Sequence, residues 1–177
     1  MNALIVASAY VWTQIVIPGA MVVQAFGLND KGQTAVSTSD GRNGIYQNGT
    51  FTPLPAPPPG FQVGAIGINN AGVIVGSAFN PNEQGFILVG SSYRFFSRPG
   101  WDTTEPRAIS NSELVTGTGD NGAGNLAGFI FDPSTGVFTD ATPPLRGRSA
   151  GRRALPRAGR LAAAGGQKSS YRSRIRG

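Results

Sequence analysis

Histidine and cysteine are both absent from the 177 residues. Their absence excludes imidazole acid–base catalysis, a thiolate nucleophile, Cys/His metal sites and disulfides. It does not fix the redox compartment. Charge is also scarce, at 14% of residues. Ahead of Pro144 no window longer than about ten residues sustains the i, i+3, i+4 apolar stripe of an amphipathic helix. What the chain has instead is 26 glycines, 13 prolines and short runs of Val, Ile and Phe set between Gly, Asn, Asp and Pro. That punctuation belongs to many short strands.

Acidic residues are missing from one region altogether. Residues 1–143 hold all nine acids and only Lys31, Arg42, Arg94, Arg98 and Arg107 as bases, so the body is net negative. The other ten basic side chains crowd into 144–177. The net charge of +6 therefore belongs to a tail.

The body says nearly the same thing three times. Pro18-Gly19, Pro59-Gly60 and Pro99-Gly100 each open a unit of about 40 residues. A small residue and an aliphatic one follow in each: Gly27-Leu28, Gly67-Ile68 and Ala108-Ile109. Then come an Asn-containing turn ("NDKG", "NNAG", "SNSE") and an apolar run ("QTAV", "VIVG", "LVTG"). A polar turn leads to Gly44-Ile45, Gly85-Phe86 and Gly128-Phe129, and an aromatic segment closes each unit. Asn and Gly supply positive φ in tight turns, and the segments between them have strand length. Four strands per unit at this period match a propeller blade, which cannot bury both faces without neighbours. The expectation is an all-β chain of antiparallel β-meander repeats in a partial, propeller-like arrangement. The units span 18–58, 59–98 and 99–143, after a remnant of a preceding repeat over 1–17.

Residues 1–27 carry no charge, and "ALIVASAYVWTQIVIPGAMVV" is long enough to span a bilayer. The repeat reading instead makes Ala9 to Trp12 a strand and explains Pro18-Gly19. A membrane or anchor helix and a signal segment stand as alternatives, and no membrane span is expected. At Pro143-Pro144 a fourth Pro-Gly is due, but Leu145 and an Arg-, Gly- and Ala-rich stretch follow. Residues 144–177 are expected to be disordered. Out-of-frame translation of GC-rich DNA leads that reading, ahead of an inert tail and of a basic arm for nucleic acid. "RAGRLAAA", Arg157 to Ala164, permits a short helix.

Candidate chemistry is thin. Asp120-Asn121-Gly122 hints at a cation loop, yet it falls where the other copies place a turn, and no bidentate Glu follows. Asp30, Glu83, Glu105, Glu113 and Asp120 are the carboxylates from which a glycan-acting pair would come, and nothing in the spacing joins two of them. Trp12, Trp101 and Tyr93 could stack on sugars, yet aromatics at strand ends more often belong to the core. No catalytic, metal or cofactor residue is assigned. The candidate binding residues lie in the variable turns: Asp40, Arg42, Asn82, Glu83, Asp120 and Asn121.

The pattern Pro-Gly-x(n)-Gly-Ile-Asn-Asn-x-Gly-x-Ile-Val-Gly-x(n)-Gly-Phe-x-Leu, best kept from Pro59 to Leu88, resembles the HAF-type extracellular repeat of bacterial secreted proteins. The resemblance covers Pro18 to Asp140. The eponymous His is replaced in every copy, which reads Asn43-Gly44-Ile45, Gln84-Gly85-Phe86 and Ala127-Gly128-Phe129. The resemblance implies export and a propeller-like fold, and no reaction. The expected function is thus a non-enzymatic secreted or cell-surface module that binds or scaffolds an extracellular glycan or protein. Self-association through open repeat edges is expected as well. The alternatives are a carboxylate-dependent glycan enzyme and nucleic-acid binding through the tail.

Overall fold

The computed structural model describes residues 12–141. The proposed strand over Ala9 to Trp12, apart from Trp12, and the whole basic tail fall outside that range. Trp12 itself is exposed and belongs to no strand.

Twelve strands form three four-stranded antiparallel sheets, each a simple meander. The first holds β1 (Val23–Leu28), β2 (Thr34–Thr38), β3 (Asn43–Gln47) and β4 (Thr50–Pro53). The middle sheet holds β5 (Gln62–Ile68), β6 (Ile74–Phe79), β7 (Glu83–Val89) and β8 (Ser92–Phe96). The third holds β9 (Glu105–Ile109), β10 (Val115–Asp120), β11 (Leu126–Asp132) and β12 (Val137–Asp140). No described residue is helical. The fold is all-β, an open stack of repeats with a propeller-like arrangement.

The turns follow from their residues. Asn48 and Gly49 both have positive φ (49° and 83°), which suits a two-residue hairpin between β3 and β4. Gly32 and Gly72 supply positive φ in the first turn of their sheets, and Glu113 takes that position in the third with φ 66°. A non-glycine residue there carries steric strain.

Each sheet meets its successor by one rule. A modest set of side chains on the face toward the next sheet (its trailing face) packs under a large aromatic set on the next sheet's leading face. Between first and middle sheets, Ala35, Ile45 and Leu54 meet Ile68, Ile74, Phe86, Leu88, Tyr93 and Phe95. Between middle and third, Val73, Val75, Ile87 and Phe96 meet Trp101, Val115, Phe129, Phe131 and Phe138. The rings pack edge-on and stacked in corresponding ways: Phe86 on Tyr93 at 5.3 Å, Phe129 on Phe138 at 5.5 Å. Strand alternation sends Val75 and Ile74 to opposite faces, so the middle sheet is apolar on both.

The innermost strands β1, β5 and β9 approach closely. A Cβ on Gly27 would lie 2.9 Å from the Gly67 Cα, and one on Gly67 would lie 3.2 Å from the Ala108 Cα. The recurring small residue is therefore an inter-sheet requirement. A bulge recurs beside it in all three inner strands, adding local twist.

Register corrects one sequence alignment. Gly76 pairs with Phe86 and Gly117 with Phe129, whereas in the first sheet Val36 pairs with Gly44. Gly44 thus stands at the position of Phe86, one residue off the expected match with Gly85. Asn43 is the counterpart of Gly85 and Gly128. The Phe51 ring lies across Gly44, so close that a Cβ there would overlap it, and it fills the space a Phe would take.

Candidate functional site

A meander alternates its turns between two rims. The β2–β3, β6–β7 and β10–β11 turns share one rim with the Pro-Gly connectors, and all six candidate residues sit in or beside them. The opposite rim carries the Asn turns.

Within the candidate rim, the acidic side chains of the first and third turns bond within their own turns. Arg42 Nε and Nη2 donate to Asp40 at 2.9 and 2.7 Å, and the Thr38 hydroxyl donates to the same carboxylate. Those bonds, that from Arg42 first, hold the Asp40 carboxyl well below the usual carboxylate range. Arg42 Nη2 also donates to the Pro18 carbonyl at 3.0 Å. In the third turn, Asp120 Oδ1 accepts from the Gly122 and Gly124 amides at 3.0 and 3.1 Å, and Asn121 Oδ1 accepts from Ala123 N at 3.1 Å. The oxygens that suggested a cation loop are engaged in shaping the turn. In the middle turn, Asn82 O accepts from Asn80 N, and Glu83 O accepts from the Thr104 amide of the next connector. Among the described residues no hydrogen bond or ion pair joins one of these three turns to another.

Asp30 and Asp120 do not converge either. Asp30 lies at the Asn-turn rim and Asp120 at the opposite one, a strand length of roughly 20 Å apart at about 3.3 Å per residue. Glycoside hydrolysis needs carboxylates within about 10 Å of each other. Asp30 is instead bonded to Asn70 Nδ2 at 2.6 Å, and Glu105 pairs with Arg107. No cluster of three or more acids capable of holding a metal forms among the described residues. Of the aromatic candidates, Trp101 meets Phe129 edge-on at 6.1 Å and carries the Arg98 guanidinium over its ring at 4.2 Å. Tyr93 stacks near Phe95 and donates to the Pro55 carbonyl at 2.8 Å. Both rings are occupied as packing elements.

The sequence reading did not identify an open cleft of about 580 Å³ between the first two sheets on this rim. Arg42, Asn43, Leu54, Pro55, Phe61 and Val63 line it. Phe61 stacks on Phe95 at 4.2 Å, and Asn43 Nδ2 bridges the sheets to Val63 O at 2.7 Å. The wall on one side is the proline run from Pro53 to Pro59, the only sequence signal for it, since proline fixes φ and stiffens the connector. A smaller cleft of about 300 Å³ beside it is lined by Gln62, Val63, Ser77, Phe79 and Glu83. Of the candidate residues, Arg42 thus borders the cleft between the first two sheets, and Glu83 the smaller one on the middle sheet.

The Asn turns at the other rim hold the stack together. Asn29 Nδ2 donates to Asn69 O at 2.9 Å, and Asn69 Nδ2 to Ser110 O at 3.2 Å. One position on, Asp30 N donates to Asn70 Oδ1 and Asn70 N to Asn111 Oδ1, both at 2.9 Å. Each buried Asn also shapes its own turn: Asn69 Oδ1 accepts from Ala71 N and Val73 N. These residues are structural stitches.

The chain matches no protein-family model and no curated protein.

Proposed function

We propose that this chain is a non-enzymatic β-repeat module that works by binding or scaffolding at a cell surface or outside the cell. The ligand surface is the rim that carries the variable turns, centred on the cleft between the first two sheets. One observation supports the reading above the others. An open cleft lined by both apolar and polar groups lies at this rim, while the carboxylates of Asp30, Asp40, Glu105 and Asp120 are engaged in stitches, ion pairs and turns. Concave apolar sites with a few placed polar groups are where ligands dock, and rigid sheets supply the preorganisation. The resemblance to HAF-type extracellular repeats adds the expectation of export.

Two assays test it. A glycan panel is offered to the wild type, Asp30→Asn and Asp120→Asn, and no turnover is expected from any of them. Turnover that either substitution abolishes would establish the glycan-enzyme alternative. An array of glycans and proline-rich peptides is then probed with the wild type and with Leu54→Asp, which places a charge in the cleft wall. Array binding lost in the variant supports the cleft; binding unchanged in the variant moves the site elsewhere.

A further inference from the structure

The two internal interfaces define what a trailing face needs. In the middle sheet it consists of Gly67, Asn69, Val73, Val75, Ile87, Arg94 and Phe96. Gly67 lets the next inner strand approach, and Asn69 Nδ2 stitches to the next turn. Phe96 stacks on Phe131 at 4.5 Å, and Arg94 Nη2 pins the Pro133 carbonyl at 2.6 Å.

The strand registers place the counterparts in the third sheet as Ala108, Ser110, Leu114, Thr116, Ile130, Thr139 and Ala141. Five of these seven remove what the interface uses. Ala108 carries the methyl that Gly27 and Gly67 leave out. Ser110 has no carboxamide to reach outward, and its hydroxyl is turned to Leu114 N and Ser112. Thr116 puts a hydroxyl where Val75 is fully buried. Ala141 replaces the stacking ring, and Thr139 replaces the pinning guanidinium. Leu114 and Ile130 stay apolar but stand 39% and 37% exposed, against 5% and 6% for Val73 and Ile87.

The leading edge of the first sheet differs. Val23, Ala25 and Leu28 stand where the middle sheet has Val63, Ala65 and Ile68, while Thr34, Gly44 and Pro53 take the places of Ile74, Phe86 and Phe95. Leu28 is 69% exposed and Ile68 only 6%. The backbone carbonyl of Asn29 also stands where the Asn69 carbonyl receives its stitch.

From this asymmetry we infer that the third sheet is a terminal cap, built against receiving another sheet, while the first sheet keeps a leading edge able to accept one. Head-to-tail docking of a second copy onto the third sheet is blocked by a few side chains. Terminal repeats of stacked proteins need such a polar outer face to stay soluble. The partner that fits the leading edge is a four-stranded sheet of this same repeat type, with a small inner-strand residue and an outward Asn carboxamide. The inference is independent of the binding reading, since it concerns the ends of the stack and not its rim.

The test restores the missing features in the full chain with Ala108→Gly, Ser110→Asn and Thr116→Val, and follows mass by light scattering across concentration. The triple variant is expected to assemble head to tail, and adding Leu28→Asp should return it to the wild-type mass. A triple variant that keeps the wild-type mass overturns the inference. So does wild-type assembly that Thr116→Asp dissociates, because the third sheet would then already be a docking face. Wild-type assembly that Thr116→Asp leaves intact runs through another face and agrees with the cap.

Discussion

Ile87 and Ile130 occupy the same register position in consecutive sheets, yet Ile87 lies buried under the third sheet and Ile130 faces out. The middle sheet is covered on both sides and is apolar on both. The third sheet buries Val115, Phe129 and Phe131 on one side and carries threonines on the other. Identical strand order and nearly identical turns thus serve two different jobs. What distinguishes a sheet covered on both faces from one covered on a single face is the chemistry of that other face.

The largest expected effect comes from truncating the two isoleucines separately. Ile87→Ala opens a cavity in a packed interface and should cost about 2–5 kcal/mol in urea unfolding. Ile130→Ala removes a side chain that water already reaches and should cost less than about 1 kcal/mol. Equal losses would mean that the outer face of the third sheet is covered in solution, and the contrast between middle and end would fail.

A smaller effect separates turn from stitch. Asn69→Ala removes the acceptor for two backbone amides and the carboxamide donor to Ser110 O, so roughly 2–3 kcal/mol should be lost. Asn69→Ser imitates the third sheet, where Ser110 Oγ still accepts from Leu114 N at 3.0 Å. It keeps a turn acceptor and drops only the stitch, for a loss of about 1 kcal/mol. If both variants lose the same amount by chemical denaturation, the inter-sheet bond contributes nothing and the Asn serves its turn alone.

These residues also show what was legible beforehand. Strand number, strand order and the three-fold repeat could be read because alternation and positive-φ residues are local signals. The offset at Gly44 could not. Its cavity is filled by Phe51 from the adjacent strand, a cross-strand exchange of volume that leaves no trace in spacing. The stitching by Asn29 and Asn69 was hidden for another reason, since the same side chain satisfies the turn and the neighbour, and either task alone explains its presence. The six candidate residues lie along one rim, but spacing along a chain cannot show that Asp120 folds back on its own amides. The cleft needs two sheets to exist, so only its proline wall appeared in the sequence.

The smallest effect concerns acid, and it falls on the two end sheets. Asp40 in the first is held below the usual carboxylate range by Arg42 and then by Thr38, and Asp132 in the third is lowered chiefly by the Ser134 hydroxyl, which donates at 2.7 Å. A carboxyl whose folded value is depressed adds stability above its unfolded value of about 3.9, and loses it as pH falls through the folded value. Protonation should therefore loosen these two turns while the buried interfaces of the middle sheet hold. Because the Asp40–Arg42 pair is open to solvent, salt screens it and the global effect is slight. The suitable readout is local: hydrogen exchange at the Gly41 amide, which bonds to the Thr38 carbonyl at 3.0 Å. Its protection should fall below about pH 4 in the wild type. In Asp40→Asn, protection should be lower at neutral pH and flat across that range. A wild-type profile that is equally flat would show that the ion pair does not organise the turn, and that the backbone bond to Thr38 suffices.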